Sequence, residues 1–378
     1  MADPDEVTRP QTSTRDLATV HDQLLAWLTG RLPEGAEPEV SELAAPSGNG
    51  MSSETLLFDA TWTTAGGRHT ERCVVRMRPS MDAKPVFPTY DLDKQFKVMT
   101  LVGERCAIPV PTLLWNEPDA GPLGAPFFVM RRAEGAAPPD VMPYTMDGWL
   151  LAATPEQQRR LQRESVAIVA AIHGIEASAD EIAFLQYPGP GESALRRHLD
   201  DLRAWYEWGI EGQRVPLLDR AFAWLEDNFP AETGPDVISW GDARIGNILY
   251  VDFAPTAVLD WEMAAVGPRE LDLAWMIFIH AFFQDIATRY GLPGLPDLMR
   301  TEDVCAQYER RTGHAPRDMR YFEMYAAVRH GVVMARIAHR QWHFGEREQP
   351  ADPDETVLHR GLIEAMLAGT YWERAQGN

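Results

Sequence analysis

The stretch that decides the fold reads Ser239-Trp240-Gly241-Asp242-Ala243-Arg244-Ile245-Gly246-Asn247-Ile248-Leu249, and Val258-Leu259-Asp260-Trp261-Glu262 follows it. Both runs are short and apolar and glycine interrupts the first, which predicts a strand, a loop and a second strand. The loop presents a carboxylate at Asp242, an amide at Asn247 and a second carboxylate at Asp260. Together such groups can orient a hydroxyl and hold Mg²⁺ on a nucleotide triphosphate.

Length, net charge and cysteine content limit the classes of protein to which this chain can belong. A length of 378 residues allows two domains or one two-lobed enzyme, and the net charge of -21 argues against nucleic acid or an anionic membrane as a partner. The acidity favours solubility, or attraction of a cationic substrate. Three scattered cysteines and an acidic N-terminus without signal-peptide features predict a cytoplasmic protein. No GxxxxGK[ST], HExxH or GxSxG motif is present, which removes common competing enzyme classes.

The first third of the chain alternates between helical and strand patterns. Apolar residues at Leu17, Val20, Leu24 and Leu28 predict an amphipathic first helix. Period-two alternation then predicts two strands, which we expect to form a hairpin. The predicted elements of this part are a helix at 17–28, strands at 55–63 and 72–78, a helix at 91–102 and a strand at 127–130.

A change of pattern marks a domain boundary near Glu134-Gly135 and Pro138-Pro139. Beyond it the chain is predicted to be mainly helical, with the strand-loop-strand of the opening motif inserted. We therefore expect an N-terminal nucleotide-binding lobe at 1–135, and a helical lobe with the catalytic loop and acceptor site at 136–378.

These motifs resemble the small-molecule kinases of the aminoglycoside phosphotransferase and choline kinase type. The resemblance rests on Gly241-Asp242-x4-Asn247, Asp260-Trp261-Glu262, Gly267-Pro268 and Asp272-Leu273-Ala274 in this order. Within the group it looks closest to the branch also found fused to acyl-CoA dehydrogenases. The resemblance implies an α+β, bilobal, protein-kinase-like fold, with an antiparallel-sheet lobe and a mainly helical lobe.

The resemblance also implies a function: transfer of phosphate from ATP to a hydroxyl group of a small molecule, with Mg²⁺. Asp242 resembles the catalytic carboxylate that orients the acceptor hydroxyl, while Asn247 and Asp260 resemble the magnesium ligands. Alternatives are phosphorylation of a hydroxyacyl-CoA, or nucleotide binding without turnover. In isolation Asp242 and Asn247 would also suit an ordinary turn.

Four residues are expected to contact the nucleotide: Arg76, Gly50, Ser52 and Met130. Arg76 stands where the family has a phosphate-holding lysine, and Arg can bind phosphate with two hydrogen bonds. Arg78 has the same strand parity and competes for this role, and a solvated surface arginine is the alternative. The glycine-containing loop could offer backbone N–H groups to phosphates, or be a plain hairpin turn.

Two residues depart from the family pattern. Trp240 replaces a histidine of the scaffold, which puts the geometry of the loop in question. Gln95 replaces the glutamate that pairs with the phosphate-holding cation, and its amide is expected to hydrogen bond to Arg76 without supplying charge.

One further sequence pattern bears on the chemical nature of the acceptor. Arg329, Arg336 and Arg340 are spaced to share one face of a predicted helix in 321–343. They form a salt-bridged surface, or they border the acceptor site and favour an anionic group such as the phosphates of a CoA ester.

Overall fold

The computed structural model of the protein describes residues 15–46 and 53–374. It divides into two compact units. The first contains the described residues up to Lys97, with Pro111–Arg132 and Arg340–Arg347. The second contains Val98–Val110, Ala133–His339 and the described residues from Glu348 onward. No helix in these described parts is long and apolar enough to cross a membrane.

The first unit is built on a five-stranded antiparallel sheet of order β1-β2-β3-β5-β4. Its elements are α1 (Leu17–Arg31), β1 (Glu39–Val40), β2 (Glu54–Thr64), β3 (Gly67–Met77), β4 (Leu113–Glu117) and β5 (Phe127–Arg131). The helix α2 (Leu92–Arg105) begins in this unit. The predicted hairpin is confirmed, because β2 and β3 pair in register from Glu54 and Met77 to Thr64 and Gly67.

One face of this sheet is covered by α1. Val20, Leu24 and Leu28 are buried as the helical spacing predicts, and they pack in one core with Phe58 and Val75 of the sheet. The helix begins cleanly because the Asp16 carboxylate accepts the backbone N–H of Thr19. Removal of this apolar surface from water fixes the sheet and so the register of β3.

The second unit is mainly helical and contains two small strand pairs. Its helices are α3 (Pro155–His173), α4 (Ala194–Gly209), α5 (Pro216–Asp227), α6 (Glu270–Arg289), α7 (Thr301–Thr312), α8 (Met319–His343), α9 (Arg360–Leu367) and α10 (Thr370–Arg374). Its strands are β6 (Val237–Ser239), β7 (Ile248–Val251), β8 (Ala254–Val258) and β9 (Ala265–Gly267). The antiparallel pairs are β6 with β9 and β7 with β8. The expected α+β class is confirmed.

Helix α6 forms the centre of the second unit. It is apolar on most faces, and most of its residues from Glu270 to Phe283 are buried. Such a helix needs partners around its whole circumference. The polar side chains Asp272 and Trp275 on this helix therefore lie inside the protein, where their hydrogen-bonding groups must meet other buried groups.

Candidate active site

The loop of Asp242 connects β6 to β7, and its shape depends on glycine. Gly241 has φ of +87°, and a Cβ there would lie 2.1 Å from the backbone oxygen of Met263. A side chain at this position would have to displace the backbone. Gly241 therefore lets the chain after β6 pass against residue 263 and deliver Asp242 at a fixed point.

Asp272 of α6 holds the beginning of this loop. Its buried carboxylate accepts hydrogen bonds from Ser239 Oγ at 2.8 Å and from the backbone N–H groups of Trp240 at 2.7 Å and Gly241 at 2.8 Å. His173 Nε2 lies 2.9 Å from the same carboxylate and its Nδ1 lies 2.8 Å from the Tyr308 hydroxyl, so this buried imidazole is part of the scaffold. Burial alone would raise the pKa of Asp272, but the contacts to His173, Gly241 and Ser239 keep that pKa below its ordinary value.

Asn247 and Asp260 are brought together by the β7–β8 hairpin. Ile248 pairs with Val258, and the backbone N–H of Leu259 donates to the Asn247 carbonyl at 2.8 Å. The Asn247 amide nitrogen donates to the backbone oxygen of Asp242 at 3.1 Å. Asp242 and Asn247 thus lie on one loop of the second unit, and the Asn247 backbone joins this loop to Leu259, the residue before Asp260.

Trp240 contributes to this arrangement instead of disturbing it. Its fully buried indole Nε1 donates to the carbonyl oxygens of Leu259 at 2.9 Å and Asp260 at 3.2 Å. The indole therefore ties the first half of the motif to the second. Asp260 itself has a left-handed backbone with φ of +56°, which is unusual for a residue other than glycine and is held by its surroundings.

The ligand atoms available here suit a hard cation. Asn247 donates through its nitrogen, so its amide oxygen is the group left to act as a ligand beside the carboxylate of Asp260. Mg²⁺ favours such oxygen donors and completes its shell with water and phosphate oxygens. In the described part of the chain no three His, Cys, Asp or Glu side chains form a metal-holding group.

A cation lies next to Asp242. Arg244 contacts the Asp140 carboxylate at 2.5 Å and Asp242 Oδ1 at 3.2 Å. Burial lowers the pKa of Arg244, but Asp140 and Asp242 outweigh it and raise that pKa further above its ordinary value. Gly246 leaves room for the pair, since a Cβ there would lie 2.5 Å from Arg244 Nη1 and 2.8 Å from Asp140 Oδ1.

In the first unit, Arg76 lies on β3 and is buried, with 7% of its surface exposed. Its Nη2 donates to Ser53 Oγ at 2.7 Å, so the alternative of a solvated surface arginine is wrong. Arg78 follows the end of β3 and is exposed. Met130 on β5 is buried and pairs with Val74.

The other two residues expected to contact the nucleotide, Gly50 and Ser52, lie outside the described residues. The neighbouring Ser53 is described and buried. Its hydroxyl accepts a hydrogen bond from Arg76.

Gln95 differs from its expected role. Its side chain on α2 is 1% exposed, and neither amide atom has a hydrogen-bond partner among the residues that the structure describes. The expected hydrogen bond from Gln95 to Arg76 is therefore wrong for this state, because the Arg76 guanidinium is held by Ser53 instead.

The predicted arginine face of α8 consists of three separate contacts. Arg329 donates to the carbonyl oxygen of Gly241, Arg336 pairs with Glu211 at 2.8 Å, and Arg340 donates to the carbonyl oxygen of Ala83 at 3.1 Å. All three are at most 6% exposed. Any contact with an anionic acceptor would require these bonds to rearrange.

Sequence reasoning missed two residues at the site, Asp140 and Trp275. The indole Nε1 of Trp275 donates to Asp242 Oδ1 at 2.6 Å. A signal for Trp275 was present, because it lies three residues after Asp272 and so shares its face of a helix. Asp140 carried no such signal, since its contact with Arg244 spans 104 residues.

The fold and this loop define a protein-kinase-like phosphotransferase. Residues 61–302 match the family APH, described as the phosphotransferase enzyme family. Because this match covers more than half of the chain, the protein belongs to that family. The predicted family and the predicted enzyme class, a phosphotransferase, are confirmed.

Curated relatives are similar over part of their length. The probable acyl-CoA dehydrogenase IBR3 of Arabidopsis thaliana is 25% identical over 268 residues, which are 67% of this chain and 30% of that protein. Acyl-CoA dehydrogenase family member 11 of Homo sapiens is 25% identical over 273 residues, which are 70% of this chain and 32% of that protein. The chain thus spans about a third of the length of these relatives.

Solved structures support the fold. A structure described as a putative aminoglycoside phosphotransferase from Ralstonia eutropha is 20% identical, has a TM-score of 0.63, and is matched over 94% of this chain and 98% of that chain. A thermostable aminoglycoside phosphotransferase APH(4)-Ia, in ternary complex with ADP and hygromycin B, is 15% identical with a TM-score of 0.52 over 94% and 99% of the two chains. The expected protein-kinase-like fold is confirmed.

Proposed function

We propose that the protein transfers phosphate from ATP to a hydroxyl group of a small molecule and that it requires Mg²⁺. The observation that carries this proposal is the hydrogen-bonded loop of Asp242 and Asn247 in the second unit, which backbone contacts join to the segment of Asp260. Membership in the phosphotransferase family and the ADP in a structural neighbour support it.

In this proposal Asp242 accepts a hydrogen bond from the acceptor hydroxyl and aligns its oxygen for attack on the terminal phosphate. Phosphoryl transfer has a loose transition state, so the alignment of the reactants and neutralisation of charge matter more than a strong base. Arg244 lies beside Asp242 and keeps this carboxylate in place.

Asn247 and Asp260 would hold the magnesium ion, and Arg76 would contact the phosphates, with Gly50, Ser52 and Met130 in the nucleotide site. When bound, Mg²⁺ neutralises charge on the phosphates. The buried guanidinium of Arg76 has the planar shape that binds two phosphate oxygens at once.

The test is turnover of Mg-ATP by the wild type and by Asp242→Asn. We expect the variant to bind Mg-ATP with nearly unchanged affinity and to turn over about 10² to 10⁴ times more slowly, the range for a positioned acid or base. Asp252→Asn is a matched control, since Asp252 is exposed on the turn of the β7–β8 hairpin and Asn tolerates its φ of +50°.

The metal assignment has a separate test. Asp260→Ala should abolish Mg²⁺-dependent ATP binding in calorimetry, and Asn247→Ala should weaken it, because both groups are proposed to hold the ion against phosphate. Unchanged affinity in the Asp260 variant would refute the metal site. Mg-ATP binding by the wild type without any turnover would favour the alternative of a non-catalytic nucleotide binder.

A hydroxyacyl-CoA is a second candidate acceptor, favoured by the two relatives named as acyl-CoA dehydrogenases. A thermal-shift screen with a non-hydrolysable ATP analogue would compare hydroxyacyl-CoA esters, sugars and aminoglycosides, followed by turnover with each ligand that stabilises the protein. Efficient aminoglycoside phosphorylation with no response to CoA esters would exclude this candidate.

A further inference from the structure

We propose that Trp275 is a positioning residue for phosphoryl transfer: it holds Oδ1 of Asp242 so that Oδ2 is directed to the acceptor hydroxyl. The inference rests on the proposed function, because it gives Trp275 a role only if Asp242 orients the acceptor.

The geometry at Asp242 is asymmetric. The indole Nε1 of Trp275 donates to Oδ1 at 2.6 Å, and Nε of Arg244 lies 3.2 Å from the same oxygen. A carboxylate rotates about its Cβ–Cγ bond unless one of its oxygens is held. The hydrogen bond from Trp275 and the ion pair with Arg244 both engage Oδ1 and restrict that rotation, so an acceptor hydroxyl has Oδ2 as its partner.

Trp275 is itself held from two sides. It lies on α6 three residues after Asp272, whose carboxylate binds the backbone N–H of Gly241. The guanidinium of Arg329 packs over the indole at 4.4 Å from the ring centroid, and the same guanidinium donates to the carbonyl oxygen of Gly241. Trp275 is 4% exposed, so its ring is packed inside the protein.

Trp275 supplies a hydrogen-bond donor, its indole N–H, as well as an aromatic ring. A phenylalanine would fill similar volume and could keep the contact with Arg329. It would lose the N–H group, whose partner is the carboxylate proposed to align the acceptor. Small errors of alignment reduce phosphoryl transfer strongly because catalysis depends on positioning.

The test compares Trp275→Phe with Trp149→Phe. Trp149 is a matched control, because its buried indole N–H has no hydrogen-bond partner among the described residues. We expect Trp275→Phe to lower kcat for phosphoryl transfer from Mg-ATP, to water or to the acceptor found in the screen, by about 10- to 100-fold, as for a lost hydrogen bond to a charged group. The KM for Mg-ATP should stay near the wild-type value, the Tm should fall modestly because a hydrogen bond to a carboxylate is lost, and the control should keep wild-type kcat.

Two outcomes would overturn the inference: equal kcat for the two variants, or a loss in Trp275→Phe that appears only in KM or Tm. Adding Trp275→Phe to Asp242→Asn should cause no further loss of kcat, since the held carboxylate is already absent. A full additional loss would mean that Trp275 acts elsewhere.

A measurement without turnover separates this inference from the proposed function. In ¹⁵N-labelled protein the indole resonance of Trp275 is identified by its disappearance in Trp275→Phe, and it should shift in Asp242→Ala, which removes the acceptor oxygen. An unshifted resonance would refute the contact. A shifted resonance in a protein without turnover would instead refute the proposed function, and with it the positioning role.

Discussion

Two buried regions of the protein differ in whether their polar side chains have hydrogen-bond partners. At the base of the Asp242 loop, Asp272 is 1% exposed and accepts hydrogen bonds from Ser239, Trp240, Gly241 and His173. On α2 of the first unit, Gln95 is equally buried, but both of its amide atoms lack a partner among the described residues.

This difference has opposite consequences for the stability of each region and for its capacity to bind a ligand. A buried carboxylate with four donors recovers the free energy lost on leaving water, whereas a buried amide without partners does not. The Asp242 loop is therefore expected to be rigid before any ligand binds. Gln95 retains unused hydrogen-bonding capacity, so its surroundings are expected to change when a ligand supplies partners.

The largest expected effect is at Asp272. Asp272→Asn puts an amide NH₂ among groups that all donate hydrogen bonds, so we expect the free energy of unfolding to fall by about 3 to 5 kcal/mol. Urea unfolding at pH 7 measures this. The control Asp200→Asn breaks an exposed pair with Arg196 and should cost below about 1 kcal/mol. Similar losses in both variants would contradict the contrast.

Glu323 is expected to have an effect of intermediate size on stability, and this effect depends on pH. Its carboxylate is 1% exposed and has two neutral donors, Thr301 at 2.8 Å and Trp372 at 3.1 Å. Burial raises its pKa from 4.5 to about 7, although both hydrogen bonds lower it. Because the folded state holds the proton more tightly, the contribution of Glu323 to stability is fully present below pH 4.5 and is lost as the pH rises from about 4.5 to 7.

The expected fall is up to about 3 kcal/mol relative to Glu323→Gln, whose amide stays neutral over this range. Urea unfolding of both proteins at pH 5 and pH 7.5 gives the difference. Parallel pH profiles in the two proteins would show that Glu323 does not titrate in this window.

The smallest expected effect has the opposite sign. Gln95→Leu removes an amide without partners, so the free energy of unfolding of the unliganded protein should rise by about 1 to 3 kcal/mol. The control is Gln162→Leu, which removes the acceptor of the Met299 backbone N–H at 2.7 Å and should be destabilising. If Gln95 serves the nucleotide, the gain should come with weaker Mg-ATP binding. A loss of stability in Gln95→Leu would mean that its amide is satisfied in solution.

The sequence predicted the features whose cause is local. Alternation predicted the β2–β3 hairpin, and the Asp242 motif predicted a loop between two strands. Arg76 shows the limit of strand parity, because both faces of the inner half of β3 are buried. Parity assigned Arg76 to a face but could not reveal that this face is covered.

The contacts around Asp242 could not be predicted because they join distant segments. Trp275 and Asp242 are 33 residues apart, and Arg329 and Gly241 are 88 apart. Spacing also placed Arg329 and Arg340 on one helix face, yet a rise of about 1.5 Å per residue separates them by about 16 Å. They therefore meet different partners, and the face is not one binding surface.

The close backbone contact at Gly241 predicts the order in which relatives of this protein lose the residues of the Asp242 motif during evolution. Exchange of Asp242 needs one substitution and no change of the backbone path, so it is expected to give an inactive descendant with an intact fold. A side chain at residue 241 would instead collide with the carbonyl of Met263 and force two segments to be rebuilt together. A lineage that abandons catalysis is thus expected to lose the aspartate before the glycine. In such a lineage, a retained glycine would indicate descent from the family, and a retained aspartate would indicate that the protein still catalyses the reaction.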